Sequence, residues 1–478
     1  MKAIKTKIIA TIGPSTNTYE SLKKLHKAGM NVARINMSHA THADAQNIID
    51  IVHQINSEQS DDHGPIGLLL DTQGPEIRTG INQSDMDLTV GDIVNLTIRE
   101  DLDVETSSIQ INYKGLIKSV SKGSRISIDN GLINFKVLAK DKENLTCKVL
   151  DGGKLGSKRH VNLPGVRVDL PSITKKDRKD IHLAIKNNVS FIALSFVRSA
   201  QDIYDLRDIL KKKKSSARII AKIENQEGLD NIHEITKATD IVMVARGDLG
   251  IETDLADLPN IQRRIMYATA KWGKRSIVAT HLLESMIVNP TPTRAEVTDV
   301  ANAIYEGADA VMLSGETSVG KHPLNAVDTM REIIRDVEAS EHNISQNKVI
   351  RPLINNSRLL SNAICSHACD IAENTNAKAI ITVTYSGFNT IKTSSFRPQA
   401  FIYAFTNNHT ILNTLSLVWG VQGFYYDRGT TTDQTIRETK EILKQEKHLK
   451  KGDLVVNLAS MPAKEMGMTN MMKISKVK

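Results

Sequence analysis

The chain contains only three cysteines and no long apolar run. Three cysteines among 478 residues are too few for a disulfide framework and are typical of a protein of the reducing cytosol. No run of about 18 apolar residues is present, which argues against a membrane-spanning helix. The apolar stretch near the N-terminus is too short and too interrupted for a signal peptide. We therefore expect a cytoplasmic protein with no membrane partner.

Aromatic residues are also scarce, at 4% of the chain, whereas charged residues are not. The formal net charge is +8 at pH 7, which favours anionic partners. The densest basic run, Lys211 to Lys214, closes a predicted helix, where the helix dipole stabilises cations. Because no basic patch with interleaved aromatic residues is present, we expect phosphorylated metabolites rather than nucleic acid as partners.

What the chain has instead is a regular alternation of short apolar runs with helical segments. Eight such runs are predicted strands: 7–11, 32–36, 67–71, 191–195, 219–223, 241–245, 276–280 and 310–313. A capping box at Thr293 and Glu296 marks the start of one intervening helix. Strand–helix alternation indicates a parallel sheet, and eight units indicate a closed (β/α)8 TIM barrel of the α/β class.

Two further domains are predicted. Between the third and fourth runs lie about 120 residues, and residues 77–170 alternate with period two between turn signals, which indicates an inserted antiparallel β-barrel domain. This domain emerges at the C-terminal ends of the strands and is expected to act as a lid. After residue 345 the strand–helix pattern restarts as an open α/β domain. The predicted domains are 1–75 with 171–345 (barrel), 76–170 (lid) and 346–478 (C-terminal regulatory domain).

Acidic and basic residues collect at the ends of two of the predicted barrel strands. Lys222 and Glu224 lie two positions apart, so their side chains point to the same face, and Asp248 follows the next apolar run. In a barrel the C-terminal strand ends carry the chemistry. One ammonium and two carboxylates at these ends are suited to holding a divalent cation against an anionic substrate.

Other motifs are weaker. Residues 315–321 match the spacing of a phosphate-binding P-loop, but His322 stands where a Ser or Thr is required and Glu316 would oppose a phosphate. Cys365 and Cys369 have helical spacing, which favours buried helix positions over a zinc site. The Ser/Thr/Gly loop at 384–390 either holds a phosphate on its backbone N–H groups or is an ordinary βα turn, and local sequence leaves both interpretations open.

Taken together, the longer motifs resemble one family, pyruvate kinase. They cover essentially the whole chain in fixed order: Thr11-Ile-Gly-Pro-Ser, Ala33-Arg-Ile-Asn-Met-Ser-His39, Leu70-Asp-Thr-Gln-Gly-Pro-Glu-Ile-Arg-Thr-Gly80, Gly156-Ser-Lys-Arg-His-Val-Asn-Leu-Pro-Gly165, Lys222-Ile-Glu-Asn-Gln-Glu-Gly, Ala245-Arg-Gly-Asp-Leu-Gly-Ile-Glu252, Ala279-Thr-His-Leu-Leu-Glu-Ser-Met286 and Met312-Leu-Ser-Gly-Glu-Thr. The resemblance implies a phosphotransferase of glycolysis that moves the phosphoryl group of phosphoenolpyruvate to ADP, giving ATP and pyruvate.

The resemblance also implies roles for the strand-end residues. Glu224 and Asp248 would hold Mg²⁺ or Mn²⁺, and Lys222 would stabilise the transition state and the enolate that is left behind. The substrate carboxylate would lie against backbone N–H groups near Gly247 and Asp248 and the Thr280 hydroxyl, which is also near the site of enolate protonation. Arg34 would hold the phosphoryl group, since a guanidinium suits phosphate oxygens.

A second cation and a nucleotide site follow from the same resemblance. The residues that match a potassium site are Asn36, Ser38, Asp71 and Thr72. Glu76 stands where a glutamate accompanies K⁺ dependence in this family and a lysine replaces it. The positions that match nucleotide-binding residues are Asn36, His39, Arg78 and Arg159, and Ser314 and Glu316 are expected to support the site.

The sequence departs from the commonest family pattern at several positions. His281 stands where Gln is frequent, Gln73 where Lys is frequent and Arg159 where Lys is frequent. Tyr385 replaces the Lys of the fructose-bisphosphate-responsive pattern, which disfavours that effector. The residues of the candidate effector loop, which would take a sugar phosphate or AMP, are Thr384, Ser386, Gly387, Asn389 and Thr390. A homotetramer is expected from the family.

Two rival interpretations remain open at this point. A Mg²⁺-dependent barrel lyase or aldolase acting through an enolate would need the paired carboxylates but not Arg34, Asp71 or a nucleotide-facing lid. An inactive relative that only binds ligands would be expected to lack Lys222, Glu224 or Asp248, and all three are present.

Overall fold

The structure is a computed structural model that describes residues 4–58, 64–82, 84–100, 108–340, 358–428, 431–461 and 468–478. The expected junction at residue 345 lies outside the described residues. The strands, in chain order, are β1 (Lys7–Thr11), β2 (Met30–Asn36), β3 (Gly67–Asp71), β4 (Met86–Leu88), β5 (Ile93–Thr97), β6 (Ser108–Gln110), β7 (Arg125–Ile128), β8 (Ile133–Lys140), β9 (Asn144–Asp151), β10 (Gly153–Leu155), β11 (Val161–Asn162), β12 (Phe191–Leu194), β13 (Arg218–Ile223), β14 (Ile241–Ala245), β15 (Arg275–Ala279), β16 (Ala310–Leu313), β17 (Ala379–Val383), β18 (Phe401–Thr406), β19 (Val421–Tyr425), β20 (Leu454–Ala459) and β21 (Met471–Lys476).

The helices, in chain order, are α1 (Tyr19–Ala28), α2 (His42–Glu58), α3 (Leu116–Ser119), α4 (Lys175–Lys186), α5 (Ala200–Lys212), α6 (Gln226–Asp230), α7 (Ile232–Ala238), α8 (Arg246–Glu252), α9 (Leu258–Lys271), α10 (Arg294–Tyr305), α11 (Gly315–Ser318), α12 (Pro323–Ala339), α13 (Leu359–Asn374), α14 (Phe388–Ser395), α15 (His409–Leu415) and α16 (Thr432–Gln445). Short 3₁₀ turns lie at Leu255–Asp257 and Glu284–Ile287. Among the described helices, none is long and apolar enough to span a membrane.

Eight parallel strands close into a barrel in the order β1-β16-β15-β14-β13-β12-β3-β2. All eight predicted runs are confirmed as these strands. Alternate side chains face opposite sides of each strand. In β1, Ile8 and Ala10 pack outward against the helices, whereas Ile9 joins the core that fills the barrel interior. The predicted capping box is confirmed: the Glu296 N–H donates to Thr293 Oγ1, and the Thr293 N–H donates to Glu296 Oε2.

The inserted lid has its own apolar core, centred on residues such as Phe135 and Leu145. Its strands form a six-stranded sheet in the order β11-β7-β8-β9-β5-β6 and a two-stranded sheet of β10 and β4. The pairs are antiparallel except β5 with β6, which is parallel. The period-two pattern located five of these strands. It missed β8, which begins five residues after β7 ends and was not separated from it. It also missed β10 and β11, which are three and two residues long and too short to show a period.

The C-terminal domain is a five-stranded sheet in the order β19-β18-β17-β20-β21. Four strands are parallel, and β21 pairs antiparallel with β20 at the edge. The sequence pattern predicted the four parallel strands but not β21, whose Lys473 and Lys476 give it the character of an exposed edge. Cys365 and Cys369 are buried in α13, as their helical spacing predicted.

Candidate active site

Lys222 lies at the C-terminal end of β13, inside the mouth of the barrel. Its Nζ atom is 2.9 Å from Glu224 Oε1 and 3.1 Å from Asp71 Oδ1, and it donates a 2.8 Å hydrogen bond to Ser195 Oγ. The Lys222 side chain is 12% exposed, so these partners are close to fully desolvated. Burial alone would lower the lysine pKa, but Asp71 and Glu224 outweigh it and raise the pKa above its usual range.

Arg34 meets the same carboxylate from the other side. It lies near the C-terminal end of β2. Its Nε and Nη2 atoms are 2.9 and 2.8 Å from Asp71 Oδ2, and Nη1 donates to Thr11 Oγ1 at 2.8 Å. Burial raises the pKa of Asp71, but Lys222 and Arg34 outweigh burial, so the pKa is lowered and the carboxylate is ionised. Asp71 therefore holds two cations in fixed positions at the strand ends.

Glu224 and Asp248 are the two carboxylates predicted to hold a divalent cation. Glu224 is buried; its Oε2 accepts a 2.6 Å hydrogen bond from the Phe196 N–H and its Oε1 faces Lys222. Burial and the nearby Asp248 raise its pKa and Lys222 lowers it, with a net pKa of about 7. Burial also raises the pKa of Asp248. A cation between the two carboxylates would relieve both effects.

The number of carboxylates at this site suits Mg²⁺. Within the part of the chain that the structure describes, no group of three or more His, Cys, Asp or Glu side chains could hold a metal ion. Mg²⁺ is usually bound by one or two carboxylates together with substrate oxygens and water, rather than by a cage of protein ligands. The buried carboxylate of Glu224 and the partly exposed carboxylate of Asp248 satisfy that requirement.

Thr280 and Gly247 are brought together across neighbouring strands β15 and β14. The Gly247 N–H donates a 2.8 Å hydrogen bond to Thr280 Oγ1, and that hydroxyl donates to the Ala279 carbonyl oxygen at 2.6 Å. In this structure the Gly247 N–H is thus directed at Thr280 rather than left free. Thr280 has φ of +68°, a left-handed conformation that turns its side chain at the strand end.

The residues assigned to the potassium site lie at the ends of β2 and β3. Asn36 and Asp71 are paired in the register of these two strands. Thr72 directly follows Asp71, and Ser38 lies two residues after Asn36. Asn36 Oδ1 accepts from the Ser38 N–H at 3.1 Å, and the Thr72 carbonyl oxygen accepts from Ser195 Oγ at 2.6 Å. All of these groups offer oxygen atoms, which suits a hard cation.

The nucleotide-site residues fall into two groups. Arg78 and Arg159 come together at the base of the lid, where the Thr79 N–H donates to the Arg159 carbonyl oxygen at 2.8 Å. Asn36 is instead the last residue of β2, and His39 lies three residues further on with its side chain exposed. Among the described residues, no hydrogen bond or ion pair joins the two groups, so the structure does not link them directly.

Glu76 accepts hydrogen bonds from two side chains at the base of the lid. Its Oε2 atom accepts from Arg78 Nε at 2.7 Å and from Gln73 Nε2 at 2.9 Å, and lies 2.6 Å from Arg78 Nη2. Gln73, which stands where the family often has a lysine, therefore occupies a position that contacts Glu76. The Arg78 guanidinium is partly exposed and also donates to the Lys158 carbonyl oxygen at 2.8 Å.

Ser314 and Glu316 support the site from β16. Glu316 is fully buried, and its two carboxylate oxygens accept from the Ser314 N–H at 2.7 Å and the Leu283 N–H at 3.1 Å. Burial raises the pKa of Glu316. The carboxylate thereby ties the end of β16 to the loop after β15, which carries Thr280. Its engagement by the chain's own N–H groups agrees with rejection of the P-loop interpretation.

The candidate effector loop precedes α14 in the C-terminal domain. The Gly387 N–H donates to Thr384 Oγ1 at 3.0 Å, and Gly387 has φ of +78°, which favours glycine. Asn389 and Thr390 are buried and bonded within the domain, Asn389 to the Val383 carbonyl oxygen and Thr390 to Thr382 Oγ1. Ser386 is exposed, so the loop presents Ser386 rather than Asn389 or Thr390 to solvent.

Several residues of the site were not assigned a role from the sequence. Ser195 Oγ accepts a hydrogen bond from Lys222 Nζ and donates one to the Thr72 carbonyl oxygen. Its position directly after β12, at a C-terminal strand end, was a sequence signal for a role in the site. Arg246 pairs with Asp299 at 2.8 Å and donates to the Thr280 carbonyl oxygen at 2.6 Å, so it positions the turn that carries Thr280. Its place directly before Gly247, inside a long motif, was the available signal.

A cavity of about 1210 Å³ lies between the lid and the mouth of the barrel. On the barrel side its lining includes Gly247, Asp248 and His281, and on the lid side it includes Arg125 and Asn130. His160 of the lid places Nδ1 3.9 Å from Asp248 Oδ1. The site therefore combines a buried cation-binding floor with a polar cleft between two domains.

Comparisons with known proteins agree with this arrangement. The family model described as pyruvate kinase, barrel domain, matches residues 3–327, and that described as pyruvate kinase, alpha/beta domain, matches residues 362–475. A pyruvate kinase of Staphylococcus epidermidis is 43% identical over 474 residues, covering 98% of this chain and 80% of that protein. One from Staphylococcus aureus is 42% identical over 473 residues, with the same coverage.

A solved structure gives the same result. The crystal structure of a pyruvate kinase from Cryptosporidium parvum has a TM-score of 0.93 and 34% sequence identity, and the alignment covers 99% of this chain and 96% of that one. The lyase or aldolase alternative receives no support from these comparisons.

Proposed function

Since the chain belongs to the pyruvate kinase family and is a phosphotransferase that moves the phosphoryl group of phosphoenolpyruvate to ADP, we propose how its own residues divide that work. The observation that carries the proposal is the position of Lys222 between Asp71 and Glu224 at the barrel mouth. A desolvated ammonium fixed there meets the negative charge that develops during transfer without reorganising. We therefore propose that Lys222 stabilises the phosphoryl group in the transition state of transfer and the enolate that remains.

Arg34 is proposed to hold the phosphoryl group. Asp71 and Thr11 accept from its guanidinium, which fixes its plane, and a fixed guanidinium matches phosphate oxygens in geometry and charge. Phosphoryl transfer demands positioning more than covalent chemistry from the protein. The pair of Arg34 and Lys222, both held by Asp71, is suited to that positioning.

Glu224 and Asp248 are proposed to hold Mg²⁺, with Mn²⁺ as a substitute. When bound, such an ion neutralises charge on the phosphoryl and carboxylate oxygens of the substrate. The potassium site is proposed at Asn36, Ser38, Asp71 and Thr72, because their oxygen atoms gather at the ends of two adjacent strands. The pyruvate kinase family implies dependence on a divalent metal and potassium in general, and these specific ions are our assignment.

Thr280 is proposed to govern proton delivery to the enolate. Its hydroxyl accepts from the Gly247 N–H and donates to the Ala279 carbonyl oxygen, so its orientation is fixed beside the substrate-carboxylate position. A reorientation of this hydroxyl on substrate binding would free the Gly247 N–H for the substrate carboxylate. Arg246 keeps the turn in place by donating to the Thr280 carbonyl oxygen.

For the nucleotide we propose Arg78 and Arg159 at the lid base, with Asn36 and His39 across the cleft. Closure of the lid is what would bring the two groups onto one ligand. In the C-terminal domain we propose that the loop at Thr384, Ser386 and Gly387 binds a sugar phosphate or AMP. A homotetramer and a cytoplasmic location complete the proposal, and light scattering would test the oligomer.

One experiment tests the proposal as a whole. ATP formation from phosphoenolpyruvate and ADP is measured in a coupled assay with Mg²⁺, in K⁺ and in tetramethylammonium buffers, with a panel of phosphorylated effectors. Activity that requires both cations supports the assignments. Full activity in tetramethylammonium without K⁺ would remove the potassium site, and failure to form ATP under every condition would overturn the proposed division of roles.

A further inference from the structure

A second polar cavity lies at the opposite end of the barrel from the active site. Its volume is about 350 Å³. On the barrel side, the cavity is lined by the starts of β13 and β15 and by the segment after α9. On the side of the C-terminal domain, it is lined by α13, by the residue before α13 and by α14. The lining residues that bear charge are Arg218, Asp240, Lys274, Arg275, Arg358 and Lys392.

Five of these six side chains are cations. The carboxylate, Asp240, is already engaged: it accepts from the Ile219 N–H at 3.0 Å and from Arg207 Nη2 at 3.3 Å, and Arg218 Nη1 lies 4.0 Å away. The residues that line the cavity therefore carry an excess of positive charge. Outside the lining, Asp309 also acts on Arg275, but its Oδ2 atom already pairs with Arg397 at 3.0 Å and accepts from the Ser276 N–H at 2.8 Å. Such an excess in a partly enclosed space attracts anions and is costly without one.

Arg275 is a buried cation of this cavity with side-chain N–H groups that are unpaired within the described part of the chain. The side chain is 94% buried, since its residue is 6% exposed, and its Nε and Nη1 atoms are buried without a hydrogen-bond partner among the described residues. Burial lowers its pKa to about 10, so the guanidinium is still charged at neutral pH. Nε of the neighbouring Arg218 is also buried without a partner. Buried N–H groups are seldom left unpaired, which indicates that something outside the chain accepts from them.

We propose that this cavity, termed the basal cavity, binds the phosphate group of a phosphate monoester. Guanidinium groups recognise phosphate oxygens by charge-assisted, often bidentate hydrogen bonds, and Arg218 and Arg275 offer unused donors on one wall. Arg358 and Lys392 complete the charge from the C-terminal domain. The Arg358 guanidinium lies 4.3 Å from the centroid of the Phe388 ring, so a cation–π contact holds this charge at the cavity wall.

The basal cavity is separate from the active site. It shares no lining residue with the candidate effector loop, although Phe388 and Lys392 lie on α14, the helix into which that loop leads. Arg275 begins β15 and Thr280 directly follows its end, so the rise of about 3.3 Å per residue places them about 16 Å apart along the strand. The proposal therefore does not depend on the catalytic assignments. Because the cavity joins barrel and C-terminal domain, an anion bound there would contact both.

The test is calorimetric titration of the full chain with the catalytic site saturated by phosphoenolpyruvate in the absence of ADP. The probes are inorganic phosphate, adenosine 5′-monophosphate and glucose 6-phosphate, with adenosine and glucose as unphosphorylated controls, all at constant chloride. The variants are Arg275→Met, Lys392→Gln and Arg358→Gln, and the matched control is Lys451→Gln, an exposed lysine distant from the cavity. Thermal unfolding of each variant checks that it is folded.

We expect at least one phosphorylated probe to bind the parent chain and the Lys451→Gln control equally. Its Kd should rise at least tenfold in Arg275→Met and several-fold in Lys392→Gln and Arg358→Gln. Comparison of the nucleotide with the sugar phosphate identifies which monoester the cavity prefers. If Arg275→Met does not fold, the other two variants decide the outcome. Equal affinity in the parent and all folded variants, or no binding of any phosphorylated probe, would overturn the proposal.

Discussion

Asn162 of the lid donates a 2.8 Å hydrogen bond from Nδ2 to Oε1 of Glu252 in the barrel. This contact joins β11 to the end of α8, four residues after Asp248. Burial and, to a smaller extent, Asp248 raise the pKa of Glu252 and the hydrogen bond from Asn162 lowers it, with a net pKa of about 7. The lid therefore contacts the barrel through a carboxyl group whose pKa is far above its usual value.

A pH dependence of stability follows from this shift. The carboxyl pKa is higher in the folded chain than the unfolded value near 4.5, so the folded state binds the proton more tightly. Its contribution to stability is present below pH 4.5 and is lost as the pH rises to about 7. Glu252→Gln keeps an acceptor for Asn162 without a charge. We expect its free energy of unfolding to exceed that of the parent at pH 8, with a smaller difference at pH 5.

Urea denaturation at the two pH values measures this difference. The matched control is Glu143→Gln in an exposed turn of the lid, which should leave the pH dependence unchanged. A Glu252→Gln variant that differs from the parent by the same amount at both pH values would contradict the assignment.

Lys222→Met should reduce kcat by about 10³-fold or more, because removal of a desolvated charge aimed at the reacting group acts on the transition state. The measurement is the steady-state rate with phosphoenolpyruvate and ADP at saturating Mg²⁺ and K⁺. The control is Lys186→Met on the exposed face of α4, which should retain full activity. A loss of less than tenfold for Lys222→Met would rule out its role.

Thr280→Val should slow protonation of the enolate by about 10²-fold or more, whereas Thr280→Ser should retain most activity. Valine keeps the shape but removes the hydroxyl that accepts from Gly247. Incorporation of solvent deuterium into the methyl group of pyruvate measures this step separately from phosphoryl transfer. Thr375→Val, which removes a hydroxyl bonded to a helix carbonyl in the C-terminal domain, is the control. Equal exchange rates in the Val and Ser variants would disprove a role for the hydroxyl.

Glu76→Lys should give activity without K⁺, because an ammonium at that position supplies the charge of the cation. The same change removes the carboxylate that holds Arg78, so the KM for ADP should rise as well. Rates in tetramethylammonium and in K⁺ buffers test both effects. Glu76→Gln removes the negative charge without adding a positive one and should stay K⁺-dependent. Equal dependence on K⁺ in the Lys variant and the parent would refute the prediction.

Much of the fold could be read from local pattern. Apolar runs of four or five residues between helical segments predicted every barrel strand, since such runs must be buried on both faces. The same reasoning placed Lys222 and Glu224 on one face of β13. It failed at four strands. β8 follows β7 too closely to be separated from it, β10 and β11 are too short to show a period, and β21 carries lysines at an exposed edge.

The sequence by itself determined which chemical groups stand at the strand ends. Only the tertiary structure decided which of them meet. Asp71 ends β3 and Lys222 lies on β13, 151 residues later, with the lid and β12 between them. Side chains of alternate strands share a layer inside a closed barrel, so these two residues come within 3.1 Å although their strands are not neighbours. Barrel closure is a property of the whole chain, and no local window of sequence contains it.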